Sequence, residues 1–457
     1  MDYLETLNSE QKRAVLATDG PVLIVAGAGA GKTKTITYRI LHLIHKGISP
    51  ENILAITFTN KAAREMRDRV INLLHRQTPK MPFVSTFHSL GVQIIKENAE
   101  LLKLPRHFSI FDRADSKKAL KNALTFAGFD PKEHLEKVKN IISKEKSRGV
   151  SLSDYQKLED GGFIHDLIKK VWSKYEEILK TEKALDFDDL LLTTLKLLEN
   201  YPDILETYQK RFIYIHVDEY QDTNKVQNNI VELLARKRKN LCVVGDTDQN
   251  IYSWRGAEIK NMLHFEKTYP ETKTFFLEQN YRSTKNILAV ANEVIEKNNF
   301  RIPHKLFTEN VNGEKIAIFE ARNETDEAHF IAMKSKDFIK NGVTPEEIAV
   351  LYRANFQSRV LEEAFLAYAV PYQMLGTKFF ERKEIKDVIS FIKISLNPES
   401  LTDFVRIINI PPRGIGKVTL QKIISGRERE LSQNTRTKIE GSRLSQTTNQ
   451  SHSSSGS

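Results

Sequence analysis

An α/β fold built on a parallel sheet and interrupted by a helical insertion is what this 457-residue sequence predicts. Three observations lead there. Short apolar runs alternate with amphipathic helical patterns from the N-terminus onward, the pattern of strand–helix–strand units. From about 109 to 189 the chain changes character: it is rich in Lys, Glu, Ala and Leu and shows no strand-like run. The alternation then resumes.

In order, 22–25 is an unbroken apolar run followed by a glycine loop. The next helix places Ile36, Ile40, Leu43 and Ile44 on one face at helical spacing. Further strands are expected at 53–58, 83–85, 212–217, 241–244 and 274–277. A second α/β pattern begins after Leu277, with strands near 315–320 and 347–352 around a helix at about 326–339. From about 427 to 457 there is almost no apolar residue and no aromatic, too little to offset chain entropy, and disorder is expected.

Composition excludes several classes. Lys+Arg number 69 against 59 Asp+Glu, a net charge of +10 that leans weakly toward an anionic partner. The single cysteine, Cys242, excludes an intramolecular disulfide framework and a cysteine-based zinc site. No apolar run approaches the ~18 residues of a membrane span. The acidic start, Met1-Asp2-Tyr3-Leu4-Glu5, lacks a signal-peptide pattern, so a cytoplasmic location is expected.

Two strand ends carry chemistry. Ala26-Gly27-Ala28-Gly29-Ala30-Gly31-Lys32-Thr33 lies between a strand and a helix. Glycines there let backbone N–H groups turn toward a phosphate, and the following helix N-terminus favours negative charge. Lys32 would reach the β and γ phosphates of ATP, and the Thr33 hydroxyl would ligate Mg²⁺. The strand at 212–217 runs into Asp218 and Glu219, which would face that loop across the carboxyl ends of the sheet. Asp218 is assigned to the metal and Glu219 to the base that activates water. Gln249, at the end of another strand, would sense the γ phosphate.

Eight motifs in order resemble the superfamily 1 DNA helicases of the UvrD/Rep/PcrA type. They are Leu7-Asn8-Ser9-Glu10-Gln11, the phosphate loop, Thr57-Phe58-Thr59-Asn60-Lys61-Ala62-Ala63, Thr86-Phe87-His88-Ser89, Asp186-Phe187-Asp188-Asp189-Leu190, the Asp218-Glu219 run, 245–257, and Asn280-Tyr281-Arg282-Ser283. The resemblance implies P-loop NTPase (RecA-like) motor domains and ATP-driven 3′-to-5′ translocation on single-stranded DNA. Duplex would be unwound ahead at single-strand/duplex junctions, in repair or replication. It also implies a division into a first motor domain (1–108 and 190–277) with its helical insertion (109–189), and a partial second motor domain (278–380). The start of a second insertion (381–426) and a tail (427–457) would follow. Gln11 would meet the adenine edge, Tyr281 would stack on its face, Lys34 would lie beside the base, and Arg282 would contact the γ phosphate.

The DNA path is expected along aromatic residues in polar or strand-terminal segments, namely Phe58, Phe87, Tyr252 and Trp254, since base stacking tolerates any sequence. Thr59, Asn60, Lys61 and His88 would hold phosphates, with Thr86 and Arg255 beside them, and Arg353 and Asn355 would touch the strand from the other side. The family's pattern includes two later motifs, one with a second arginine finger, and neither occurs after Gly416. A truncated chain with an incomplete second RecA-like domain is therefore expected. The alternative to a helicase is an ATP- and single-strand-binding module with little unwinding, since an arginine finger is worth ~10³–10⁵ in kcat.

Overall fold

A computed structural model describes residues 2–74, 80–158, 161–253, 256–374, 383–396, 400–416 and 418–426. The chain divides into two compact units, Met1–Ile316 and Ala317–Ser457.

The first unit is built on strands β1 (Val22–Ala26), β2 (Ile53–Thr57), β3 (Phe83–Thr86), β4 (Ser109–Ile110), β5 (Ala184–Leu185), β6 (Tyr214–Val217), β7 (Leu241–Gly245) and β8 (Lys273–Leu277). Six of them form one sheet in the order β3-β2-β6-β7-β1-β8, and every pairing in it is parallel. A parallel sheet is covered on both faces, so its strands are apolar throughout. Successive residues enter opposite cores. Leu23, Val25, Leu54, Ile56, Ile215, Val217 and Val243 pack on one side, and Val22, Ile24, Ile53, Ala55, Cys242 and Val244 on the other. Because the strands are parallel, the carboxyl ends of β1, β6, β7 and β8 share one edge, where ligand groups gather.

Helices α1 (Ser9–Leu16), α2 (Lys32–His45), α3 (Asn60–Leu74) and α4 (Phe87–Glu97) belong to this sheet. The expected insertion holds α5 (Arg113–Phe126), α6 (Pro131–Ser147), α7 (Leu152–Gln156) and α8 (Gly162–Thr181). These close around a separate core that includes Trp172, Tyr175, Ile168 and Leu124. The insertion is not wholly helical. Ser109–Ile110 pairs with Ala184–Leu185 as a two-residue parallel ladder at its root, too short to leave a period in the sequence. Helix α9 (Phe187–Asn200) returns the chain to the sheet. Lys146 of α6 is fully buried against Asp189 at 2.6 Å, Asp186 at 3.0 Å and Glu176 at 3.1 Å, so one cation joins α6, α8 and the start of α9.

In the second unit the expected helix forms as Glu324–Lys340 and packs on Ser358–Ala367 through Ala328, Ala332 and Ala364. The strands expected at 315–320 and 347–352 do not form. Ile318 is 95% and Leu351 93% exposed, while Ile348 and Val350 are half-buried and Phe319 stacks on Phe330. A strand needs a neighbour for its N–H and C=O groups, and none pairs with these segments among the described residues. The expected disordered tail, 427–457, lies outside the described residues. No described helix is long and apolar enough to cross a membrane.

Candidate nucleotide and DNA sites

The loop between β1 and α2 turns on Gly29 (φ 71°) and Gly31 (φ 87°), both left-handed. A Cβ at Gly29 would stand 2.7 Å from Asn280 Nδ2, and one at Gly31 2.7 Å from Gln11 Nε2. Only glycine fits either place. The loop opens onto a cavity of about 440 Å³ lined by Gly27, Ala28, Gly29, Gly31, Lys32, Thr33, Lys34, Arg69, Glu219, Gln249, Tyr281 and Arg282. Ala26 and Ala30, expected with the loop as phosphate contacts, bury their side chains in the core and are not among the lining residues. Ala26 is the last strand residue, and its side chain is needed by the packing.

Lys32 Nζ pairs with Glu219 Oε2 at 3.1 Å, which joins the ends of β1 and β6. Glu219 has a left-handed backbone (φ 50°), uncommon for a non-glycine residue. Gln221 Nε2 donates to the same carboxylate oxygen at 2.9 Å. Asp218 is buried, and its carboxyl is pushed up to about 7, first by burial and then by the charge of Glu219. The Thr33 hydroxyl lines the cavity, whereas Asp218, expected beside it as a metal ligand, is not among the lining residues and accepts from Glu219 N at 3.0 Å. Gln249 donates through Nε2 to Asp246 Oδ2 at 2.6 Å.

At the other end, the Tyr281 hydroxyl accepts from Asn8 Nδ2 at 2.7 Å and donates to Gln279 Oε1 at 2.8 Å, while half of the residue stays exposed. Lys34 Nζ donates to the Thr6 carbonyl and lies 5.7 Å from the Tyr38 ring centroid. Arg282 is exposed. Gln11 is not among the lining residues. It is buried behind the loop, where its amide donates to the Ala30 carbonyl at 3.0 Å and accepts from Asn8 N at 3.2 Å.

Sequence reasoning missed three residues here. Asn280 is buried, donates to the Ala28 carbonyl at 2.6 Å and accepts from Arg282 N and Ser283 N, tying 280–283 to the phosphate loop. Its signal was its place at the head of a quoted motif. Gln221 holds Glu219, and Arg69 of α3 reaches the cavity from a position that reads as a solvated helix face.

The residues expected to meet DNA fall into exposed, half-buried and core positions. Phe58 and Tyr252 stack on each other, 5.1 Å between centroids and 25° between planes, both half-buried. His88 lies 5.5 Å from Phe187, which is 53% exposed and was not singled out although it sat in a quoted motif. Phe87 is buried at the start of α4, in the core, and does not offer its ring to a base. Thr86 is also buried: its hydroxyl caps α4 by accepting from Ser89 N at 3.3 Å, so it is committed to the helix and not to a phosphate. Burial lowers the affinity of His88 for a proton. Thr59 Oγ1 accepts from Ala62 N at 3.1 Å, Asn60 is exposed, and Lys61 is only loosely paired with Glu65 at 3.8 Å. Trp254 and Arg255 lie outside the described residues. Arg353 and Asn355 are exposed in the second unit, at a short turn and not at a strand end.

A glycine loop that turns from a buried parallel strand into a helix, facing an acid pair on a neighbouring strand, defines a P-loop protein with a RecA-like sheet. A family model for the UvrD/REP helicase N-terminal domain matches residues 7–270, and one for the UvrD-like helicase C-terminal domain matches 275–440. The chain belongs to the UvrD/REP helicase family. It is 49% identical over 423 residues to the ATP-dependent DNA helicase PcrA of Staphylococcus aureus, covering 92% of this chain and 58% of that protein. Identity to PcrA of Staphylococcus epidermidis is 48% with the same coverage. The chain thus spans 58% of the length of these curated relatives.

Proposed function

We propose that this chain binds MgATP in the 440 Å³ cavity and single-stranded DNA near the Phe58–Tyr252 and His88–Phe187 pairs. Hydrolysis would drive 3′-to-5′ movement and strand separation as a DNA helicase of repair or replication. The observation that carries this reading is the Lys32–Glu219 pair at the mouth of a cavity also lined by Tyr281 and Arg282.

The chemistry follows from the pair. A triphosphate competes for the Lys32 ammonium, which then neutralises β- and γ-phosphate oxygens. Glu219 is released from its lysine partner and becomes an acceptor for the attacking water, oriented by Gln221. Asp218 and Thr33 would hold Mg²⁺, which supplies charge neutralisation to the phosphates. Arg282 adds positive charge where it develops on the γ phosphate, Gln249 orients the water, and Tyr281 stacks on the base beside Lys34. Gln11, from behind the loop, serves the adenine edge only after exchanging its hydrogen bond to Ala30.

A second reading, an ATP- and single-strand-binding module that does not unwind, is favoured by the absence of the expected strands at 315–320 and 347–352, the latter leading directly to Arg353 and Asn355. ATP turnover of the chain with and without single-stranded DNA, beside Lys32→Ala and Glu219→Gln, tests the first reading. DNA-stimulated turnover lost in both variants is expected. Unwinding of a tailed duplex then separates the two readings, because the module binds both ligands but releases no strand.

A further inference from the structure

The cavity wall continues inward as a run of buried polar groups. Glu219 Oε2 accepts from Gln221 Nε2, Gln221 Oε1 accepts from Asp246 N at 3.0 Å, and Asp246 Oδ2 accepts from Gln249 Nε2. Beyond Asp246 the run meets the segment 298–304, which belongs to none of the motifs. The side chain of His304 is 2% exposed, with Nε2 3.8 Å from Asp246 Oδ1 and 4.0 Å from Asp248 Oδ2. Its Nδ1 lies 2.9 Å from the Ile302 carbonyl. Arg301 pairs with Asp248 at 2.8 Å and donates to the His304 carbonyl at 2.8 Å. Asn298 Nδ2 donates to Asp248 Oδ1 at 3.2 Å, and Ile302 N donates to Thr247 Oγ1 at 3.1 Å. Asp246, Asp248 and His304 are close enough together to share a cation, but Arg301 already supplies the positive charge at Asp248.

The His304 ring lies against Asp246 Oδ1 while Arg301 pairs with Asp248, which leaves Asp246 Oδ2 turned to Gln249. With Arg301 and His304 in place, Asp246 stays an acceptor, and the Gln249 amide must turn its nitrogen to it and offer its oxygen elsewhere. Without the Arg301 pair at Asp248 and the His304 ring against Oδ1, the Asp246 carboxylate is free to turn its oxygens away from Gln249. Gln249 Nε2 then loses the acceptor it meets at 2.6 Å, and the amide is free to turn around. We propose that Arg301 and His304 are positioning residues that hold Gln249 with its amide oxygen toward the water at the γ-phosphate end of the cavity. This rests on the reading of Gln249 given above.

The test reads binding, so it does not depend on turnover. The affinity of the whole chain for MgADP is compared with and without aluminium fluoride, which mimics the γ-phosphoryl group in flight. The variants are Gln249→Ala, His304→Ala, the double variant and His304→Lys, with thermal unfolding of each as a control for folding. His304→Ala is expected to reduce the gain from aluminium fluoride by about tenfold, the size of one hydrogen bond to a charged group. MgADP affinity stays unchanged, and His304→Lys restores most of the gain. In the Gln249→Ala background the His304 change adds nothing, because the two act through one amide. A loss in Gln249→Ala with none in His304→Ala overturns the proposal and leaves Gln249's role standing. No loss in Gln249→Ala overturns both. Additive losses, or equal weakening of MgADP alone, reduce His304 to a structural residue.

Discussion

His88 and Lys61 stand close in the motif order yet differ in what they offer a phosphate. Burial holds the His88 pKa below the ordinary histidine value, so the ring is neutral at pH 7.5. Its contribution to stability is full above the unfolded pKa of about 6.5 and is lost as pH falls through the lower folded value. Lys61 is exposed and charged. The salt dependence of single-strand binding separates them. Lys61→Ala should lower the slope of log K against log salt by about 0.7, the share of one phosphate contact. His88→Gln should leave the slope at pH 7.5 unchanged, and should flatten the loss of stability between pH 7.5 and 5.5.

Helices α4 and α9 each begin with phenylalanine, and packing gives the two rings opposite duties. Phe87 is 4% exposed in the main core, whereas Phe187 is 53% exposed beside His88. Phe87→Ala is therefore expected to cost about 3–5 kcal/mol of stability in denaturant unfolding. Phe187→Ala should leave the unfolding midpoint in place while weakening single-strand binding by about 1–3 kcal/mol, irrespective of sequence. Phe187 can be presented this way because Asp186 caps α9 and Lys146 holds Asp186 and Asp189 in the interior. Hydrophobic patterning alone cannot tell the two rings apart, because both follow polar residues at a helix start.

At the scale of the whole chain, two compact units are expected to unfold in separate steps. The phosphate loop, Asp218, Glu219, Tyr281 and Arg282 all lie in Met1–Ile316. MgATP at about 100 times its dissociation constant should therefore raise the stability of that unit by about 2.7 kcal/mol and leave the other step in place. Calorimetry with and without MgATP checks this, with Lys32→Ala abolishing the shift.

The first unit was largely legible because a parallel strand buried on both faces is a continuous apolar run, and a glycine loop leaves its own local record. The strands of the sheet, the phosphate loop, the acid pair and the insertion all follow from such local signals. The ladder at 109–110, the burial of Phe87 and Thr86, the withdrawal of Gln11 from the cavity and the missing strands at 315–320 and 347–352 did not. Each depends on what stands opposite. Strand pairing, burial and a hydrogen-bond partner are properties of two segments brought together, and one segment read by itself carries only half of each. The sequence by itself determined which chemical groups are present and in what order. Only the tertiary structure decided that Asn280 ties its segment to the Ala28 carbonyl and that His304 lies behind Gln249, because those contacts join residues dozens to hundreds of positions apart.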